Sequence, residues 1–272
     1  MSVVIPHYNR ASLLGESLES VLAQTVPPAE VIVVDDASRP EERARIEPWA
    51  ARVRILDQPQ NGGVAAARNA GLAAATSEWV AFLDSDDLWV PGKLERQLAH
   101  LAEHPTCDGV YTGLAVFYPG GREVVRDPLP PRLTLHDALI HNMIHVQTLI
   151  VRTRLLREIG GFDAALRVAE DDDLSIRLAL AGARLDCLNE PLVRLRREDH
   201  GHLMSNWRKV IGWKAKVAWK HRVPLERELG RGATRRRVAL TVRKAGWQVG
   251  GVTGRALRLL GYLGGGFDGS TD

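Results

Sequence analysis

WVAFLDSDD, residues 79–87, joins five hydrophobic residues to a turn carrying three carboxylates. An apolar run this short fits a strand buried on both faces, because a helix needs more residues and an amphipathic spacing. Similar runs stand upstream. Residues 3–5 precede Pro6, EVIVV at 30–34 leads into Asp35 and Asp36, and 53–56 is a further extended stretch. Helical patterns separate them: Ser12 as N-cap with Leu14, Leu18, Val21 and Leu22 behind it, then an alanine-rich segment at 64–75. Strands alternating with helices predict an α/β sheet with right-handed crossovers, whose ligands sit at the carboxyl ends of the strands. Both acidic motifs fall at such ends.

Downstream, Pro91 is expected in the first turn of a helix that continues through Leu94, Leu98 and Leu101 to His104. The pattern loosens after 111–118, with a turn at Pro119-Gly120-Gly121 and a rigid proline-rich loop, DPLPPR, at 127–132. Residues 145–151 read as a strand, 171–181 as a helix ended by Gly182, and 185–195 as extended. From 203 to about 263 the pattern is mostly helical, interrupted at Pro224.

The 272 residues are 45% hydrophobic and 25% charged, a composition that fits one large soluble domain with an appendage. Cys107 and Cys187 are the only cysteines, and neither a disulfide framework nor zinc-ligand spacing is expected from them. No leader pattern opens the chain and no run of about 18 apolar residues interrupts it. A cytoplasmic location is expected, with any membrane contact confined to the surface. The net charge of +3 is uneven: residues 203–272 carry 15 Lys and Arg against 4 Asp and Glu, which leaves residues 1–202 at −8. Trp207, Trp213 and Trp219 interleave with Lys209, Lys214, Lys216 and Lys220, a pattern that suits an anionic membrane surface or a solvated helical cap over the core. The basic residues form no nucleic-acid reading motif, so no nucleic acid is expected as a partner.

Carboxylates gathered after a buried strand repel one another unless a cation neutralises them, and Mg²⁺ or Mn²⁺ prefers such oxygen donors. The alternative for 84–87 is a solvated loop capping the next helix. Asp35-Asp36 admits a capping turn as well; a receiver domain also pairs acids, but after its first strand. NGGVAAARNAG at 61–71 combines a flexible entry with a small-residue helix, for approach to a ligand or for tight packing on the sheet. Glu170-Asp171-Asp172-Asp173 opens a helix, where the macrodipole favours acids regardless of function, although a carboxylate there also suits a general base. His200 and His202 follow the extended segment and are candidates for a metal shell or for ordinary surface packing.

These stretches meet in one order: VVIPHYNR (3–10), VVDDAS (33–38), NGGVAAARNAG (61–71), VAFLDSDD (80–87), IGGFD (159–163) and AEDDDLSIRLALAG (169–182). Over roughly residues 2–200 the chain resembles the family 2 glycosyltransferases of GT-A fold. The resemblance implies a Rossmann-like, mixed and mainly parallel sheet flanked by helices. It implies a nucleotide-sugar-binding and catalytic domain over 1–202; the basic, mostly helical extension expected over 203–272, with a mobile end, matches no motif of the family. The implied activity is inverting transfer from a nucleotide-diphosphate sugar to an acceptor hydroxyl; the loosened middle stretch at 111–132 is expected, from its own pattern, to face the acceptor.

Tyr8 and Asp36 match positions holding the base and ribose, and Asp84 one near the ribose or sugar; Pro6, Asn61, Arg68 and Glu170 complete the expected substrate-binding set. Asp86 matches the metal-binding acid for Mn²⁺ or Mg²⁺, with Asp87 as its alternate. Asp171 matches the general base, although the run of four acids lets that role shift by one residue. His200 is similar to a third metal or diphosphate contact. Two other readings stand beside this one. A sugar nucleotidyltransferase needs a glycine-rich loop with a basic residue near the N-terminus, which His7-Tyr8-Asn9-Arg10 is not. A catalytically silent nucleotide-sugar-binding module is opposed by the intact acids.

Overall fold

The computed structural model describes residues 1–140, 144–197, 207–249, 255–256 and 258–260. Strands β1 (Ser2–His7), β2 (Glu30–Asp35), β3 (Arg54–Asp57) and β4 (Trp79–Phe82) lie parallel in the order β3-β2-β1-β4. Helices α1 (Ala11–Leu22), α2 (Pro40–Ile46) and α3 (Val64–Ala74) make the connections between them. Side chains alternate between two cores. Val4, Ile32, Val34, Val80 and Phe82 face one, while Val3, Ile5, Val31, Val33 and Ala81 face the other. Because both faces are covered, these strands show apolar runs rather than polar alternation.

The second half adds β5 (Leu88–Trp89), α4 (Lys93–Glu103), β6 (Gly109–Phe117), β7 (Glu123–Val125), α5 (Leu135–Ile140), β8 (Ile150–Arg152), α6 (Thr153–Glu158), α7 (Glu170–Leu180) and β9 (Leu185–Arg196). The sheet continues β4-β8-β6-β9-β5, with β7 beside β6. β8 is antiparallel to both β4 and β6, so β6 and its parallel neighbour β9 run in the direction of the first four strands. This is the mixed, helix-flanked α/β sheet expected. Helices α8 (Trp207–Lys220), α9 (Arg222–Leu229) and α10 (Ala233–Val249) follow, and Val217, Ala218, Leu225 and Ala233 share an apolar cluster with Leu139, Leu174 and Val4. No helix among the described residues is long and apolar enough to cross a membrane.

Several local expectations change. Ser12 does not cap α1: the helix begins at Ala11, whose N–H donates to the Glu42 carboxylate at 2.9 Å, so a neighbouring helix supplies the partner. Strand β1 runs through Pro6 to His7; β4 pairs only with Ser2–Val4, which removes the need for a Pro6 N–H on that side. Pro91 lies before α4 rather than in it. Lys93 N–H bonds Val90 C=O at 3.2 Å across a turn in which Gly92 takes φ +83°, a conformation that suits glycine. The expected strand at 145–151 is a 3₁₀ turn at Val146–Thr148 followed by the short β8, because Thr148 folds its N–H and hydroxyl back onto the His145 carbonyl. Pro224 sits inside α9; the helical interruptions fall at His221 and at Gly230–Gly232 instead. The expected mobile end, residues 264–272, lies outside the described residues.

Gly71 marks where α3 meets β1. A Cβ there would lie 2.2 Å from Val4 Cγ1. Replacing it with alanine overpacks the helix–sheet contact, and Gly71→Ala is expected to cost about 1–3 kcal/mol. Urea unfolding should show a lower midpoint at unchanged slope.

Candidate active site

A cavity of about 550 Å³ opens at the carboxyl ends of β1, β2 and β4. Its walls are Pro6, His7, Tyr8 and Arg10 at the end of β1 and just beyond it, Asp36 after β2, Asn61 and Gly63 before α3 with Val64, Ala67 and Arg68 in it, Asp84, Ser85 and Asp86 after β4, and Arg167 and Glu170 around the start of α7. Eight of the eleven candidate residues therefore share one cavity: Pro6, Tyr8, Asp36, Asn61, Arg68, Asp84, Asp86 and Glu170. Asp87 and Asp171 sit next to lining residues without lining it themselves. His200 lies outside the described residues.

Asp36 builds the floor. Its two carboxylate oxygens accept the N–H groups of Gly62 at 2.7 Å and Gly63 at 2.8 Å, and Asn61 Nδ2 donates to its backbone carbonyl at 3.2 Å. Gly63 takes φ +87° and a Cβ there would meet Arg167, so the turn needs glycine. Asn9, Ala37 and Ala169 are the described non-glycine residues at positive φ, and all three flank the cavity. Each costs on the order of 1–3 kcal/mol, a strain that the surrounding hydrogen bonds must hold.

Arg68 is the central cation. Only 2% exposed, it donates to Asp84 at 2.6 Å and to Glu170 at 2.7 Å, with its guanidinium 5.3 Å from the centre of the Phe162 ring. Burial opposes its charge, and the two carboxylates more than restore it, holding its pKa above the ordinary value. Burial also raises the Glu170 carboxyl, against the pull of Arg68. The next residue of α3, Asn69, exchanges two 2.8 Å hydrogen bonds with the Phe162 backbone. Thus NGGVAAARNAG and IGGFD are one unit in space.

In the acidic turn, Asp84, Asp86 and Asp87 bring carboxylate oxygens within 4.8 Å of one another. Burial, then the Asp86 and Asp84 charges, push the Asp87 carboxyl well above its usual range. Asp87 accepts from Arg196 N–H at 2.8 Å and from Gln147 Nε2 at 3.1 Å, while Gln147 also donates to Asp84. Arg10 ion-pairs with Asp86 across the cavity. Three hard oxygen donors with crowded negative charge fit a divalent cation such as Mg²⁺ or Mn²⁺. Any cation taking Asp86 competes with Arg10, whose side chain is 37% exposed and has room to move.

The four acids of α7 separate by partner. Glu170 goes to Arg68. Asp172 accepts from Lys214 at 2.8 Å, and Asp173 meets Arg177 at 2.7 Å, Lys220 at 2.7 Å and His221 at 2.8 Å. Both are buried. Asp171 remains partly exposed at the helix start, next to Glu170. Burial lowers the His145 pKa, and the Asp171 charge opposes that shift, so the imidazole lies in the field of this carboxylate.

Residues 2–160 match the model of glycosyl transferase family 2. The chain belongs to this family. Among its relatives, the Bacillus subtilis strain 168 glycosyltransferase TuaG, assigned to teichuronic acid biosynthesis, is 31% identical over 76% of this chain and 83% of its own length. A pre-mycofactocin glycosyltransferase of Mycobacterium tuberculosis H37Rv is 36% identical over 76% of this chain, which spans only 44% of that protein. The chain likewise spans 61% of a matched Haemophilus influenzae glycosyltransferase. Among solved structures, Staphylococcus aureus TarS residues 1–349 with UDP-GlcNAc superposes with a TM-score of 0.69 at 22% identity, over 96% of this chain and 88% of that one. A Pyrobaculum calidifontis mannosyltransferase with GDP-Man and Mn²⁺ gives 0.66 at 21% identity, over 98% and 80%. Both have the GT-A fold expected of the family.

Four cavity or turn residues of this family 2 member went unassigned by sequence reasoning. Arg10 stood inside VVIPHYNR without a role. Gln147 was hidden in a segment read as strand. Arg167 and Arg196 belong to no motif, and Arg196 reaches the Asp86 carbonyl at 2.9 Å from the end of β9. His7 is buried against Asp35 at 3.9 Å, and burial lowers its pKa.

Asp173 yields a pH prediction. Burial raises its carboxyl, but hydrogen bonds from His221, Lys220 and Arg177 outweigh that and hold it far below the usual carboxylate range. A depressed folded pKa contributes stability that is fully present above about pH 4 and lost as pH falls towards the folded value. Asp173→Asn should therefore lower stability at pH 7, and the gap from wild type should shrink towards pH 3. Unfolding midpoints measured across that range check it.

Proposed function

We propose that this chain transfers a sugar from a nucleotide-diphosphate sugar to an acceptor hydroxyl with inversion at the anomeric carbon. The observation that carries this reading is Arg68, which ties the acidic turn after β4 to the Glu170-Asp171 helix start at one cavity of ordinary ligand size. The UDP-GlcNAc and GDP-Man in the TarS and Pyrobaculum structures support a nucleotide-sugar donor, and Mn²⁺ in the latter supports a divalent metal.

In this reading Tyr8, 47% exposed at the cavity, faces the base. Pro6, Asp36 and Asn61 shape the floor under the ribose, and Arg68 fixes Asp84 and Glu170 beside the sugar. Asp86, with Asp84 and Asp87 around it, holds Mn²⁺ or Mg²⁺. Bound there, the ion would offset charge on the departing diphosphate. His200 is assigned a further metal or diphosphate contact on its motif position alone. Asp171 takes the proton of the acceptor hydroxyl as that oxygen bonds to the anomeric carbon and the bond to the diphosphate oxygen breaks. Asp172 and Asp173 are buried whereas Asp171 is partly exposed at the helix start, which supports Asp171 as the base over its neighbours. Residues 207–249 then serve the domain at 1–202 as a brace on α7.

Asp171→Asn should cut transfer by at least about 100-fold, while Mn²⁺-dependent nucleotide-diphosphate binding stays within about twofold. In Asp86→Ala that binding should weaken by at least about tenfold. Titration with UDP and GDP in Mn²⁺ tests both. Loss of binding in the Asp171 variant, or an unchanged Asp86 variant, would remove the assigned roles.

The tail carries a second reading. Trp219 and Val223 are 65% and 66% exposed, and the Arg222 guanidinium lies 5.0 Å from the Trp219 ring centre. We assign this patch to an anionic membrane surface at the cytoplasmic face, where amphipathic aromatic and basic side chains settle. Co-sedimentation should rise with the anionic lipid content of vesicles and fall in Trp219→Ala; equal binding to neutral vesicles would exclude it.

A further inference from the structure

A separate cavity of about 260 Å³ lies between α5, α9 and α10. Leu139, Leu229, Ala233 and Leu240 give it apolar walls, and Arg236 and Arg237 supply its cations. The two arginines differ in what holds them. Arg236 caps the end of α9, donating to the carbonyls of Leu229 at 2.7 Å and Arg231 at 2.8 Å. Arg237 makes one hydrogen bond, at 3.2 Å to the Ala138 carbonyl.

Among the described residues no carboxylate lies within ion-pair distance of Arg237. Burial lowers its pKa, and the Asp172 carboxylate, beyond ion-pair distance, opposes that only in part. Lys244 sits in a field to which Lys214, Arg243 and Arg237 all contribute, with Asp172 opposing them. A half-buried guanidinium whose nearest carboxylate is out of contact is costly, and an anion in contact with it lowers that cost. Apolar walls next to a cation with no carboxylate in contact are complementary to a ligand with the same division: an alkyl chain and an anionic head.

We propose that this cavity binds a single-chain anionic amphiphile, with its phosphate or carboxylate head on Arg237 and its chain between Leu139, Leu229, Ala233 and Leu240. At roughly 30 Å³ per group the volume takes about eight methylene-sized groups. Octyl phosphate is therefore a probe of matched length. The site rests on the cavity and Arg237 alone, and it is independent of the transfer reaction assigned above.

The test is isothermal titration of the full chain with octyl phosphate below its micelle concentration, beside octanol and inorganic phosphate. Octyl phosphate is expected to bind saturably, and at least about tenfold more tightly than either half-ligand alone. Arg237→Gln keeps a donor for the Ala138 carbonyl and should weaken octyl phosphate at least about tenfold, with octanol unchanged. Leu240→Trp, which fills the cavity from its wall, should abolish binding of both. Unfolding midpoints and UDP binding with Mn²⁺ in each variant establish that the fold and the nucleotide cavity persist. Equal binding by wild type and Arg237→Gln, indifference to Leu240→Trp, inorganic phosphate binding as tightly as octyl phosphate, or binding to vesicles but not to monomeric octyl phosphate would each overturn the assignment.

Discussion

The buried guanidinium of Arg68 is the contact on which the active-site region depends. It comes from α3, and it binds one carboxylate at the end of β4 and another at the start of α7. Two elements that are 102 residues from donor to acceptor in the longer pair are thereby fixed to a common point. A buried pair of this kind adds little net stability compared with a hydrophobic core, but removing one partner leaves charge stranded at a cost of about 3–5 kcal/mol. Its effect is geometric. The distance between the acidic turn and the α7 start is set by one rigid planar group, and a lysine lacks the fork needed to reproduce it.

Around this centre the excess acid is met by separate cations. Arg10 meets Asp86, Lys214 meets Asp172, and Lys220 meets Asp173. The negative charge of residues 1–202 and the positive charge of the tail, which the sequence shows only as an imbalance, are partly joined at these contacts. The same α8 and α9 residues bury Val217, Ala218 and Leu225 against the shared core, which favours a cap over the domain for most of their surface.

The first four strands were legible because their burial on both faces leaves apolar runs, and because carboxylates mark where two of those runs end. Segments with weaker local patterns were not. β5 has two residues and β7 is fully exposed, so neither has a periodicity to detect. Gln147 reaches Asp84 and Asp87 only because the chain tightens into a 3₁₀ turn, a choice made by Thr148 and its hydroxyl rather than by β propensity. Within the run of four acids, sequence left the base ambiguous by one position. Asp172 and Asp173 differ from Asp171 by their burial, which comes with contacts to Lys214, Lys220 and His221, beyond any local spacing.

The pairing of α7 with the tail also has a temporal side. Asp172 waits for a lysine 42 residues later, and Asp173 for a histidine 48 residues later. At synthesis rates of roughly 5–20 residues per second, the helix start is made seconds before its counterions exist. During that interval its carboxylates stay hydrated and the surface that will cover them stays open. The order of translation therefore places closure of this side of the domain last, and a ribosome that stalls between residues 197 and 213 leaves a nascent chain with every strand of its sheet synthesised and its acidic helix unsealed.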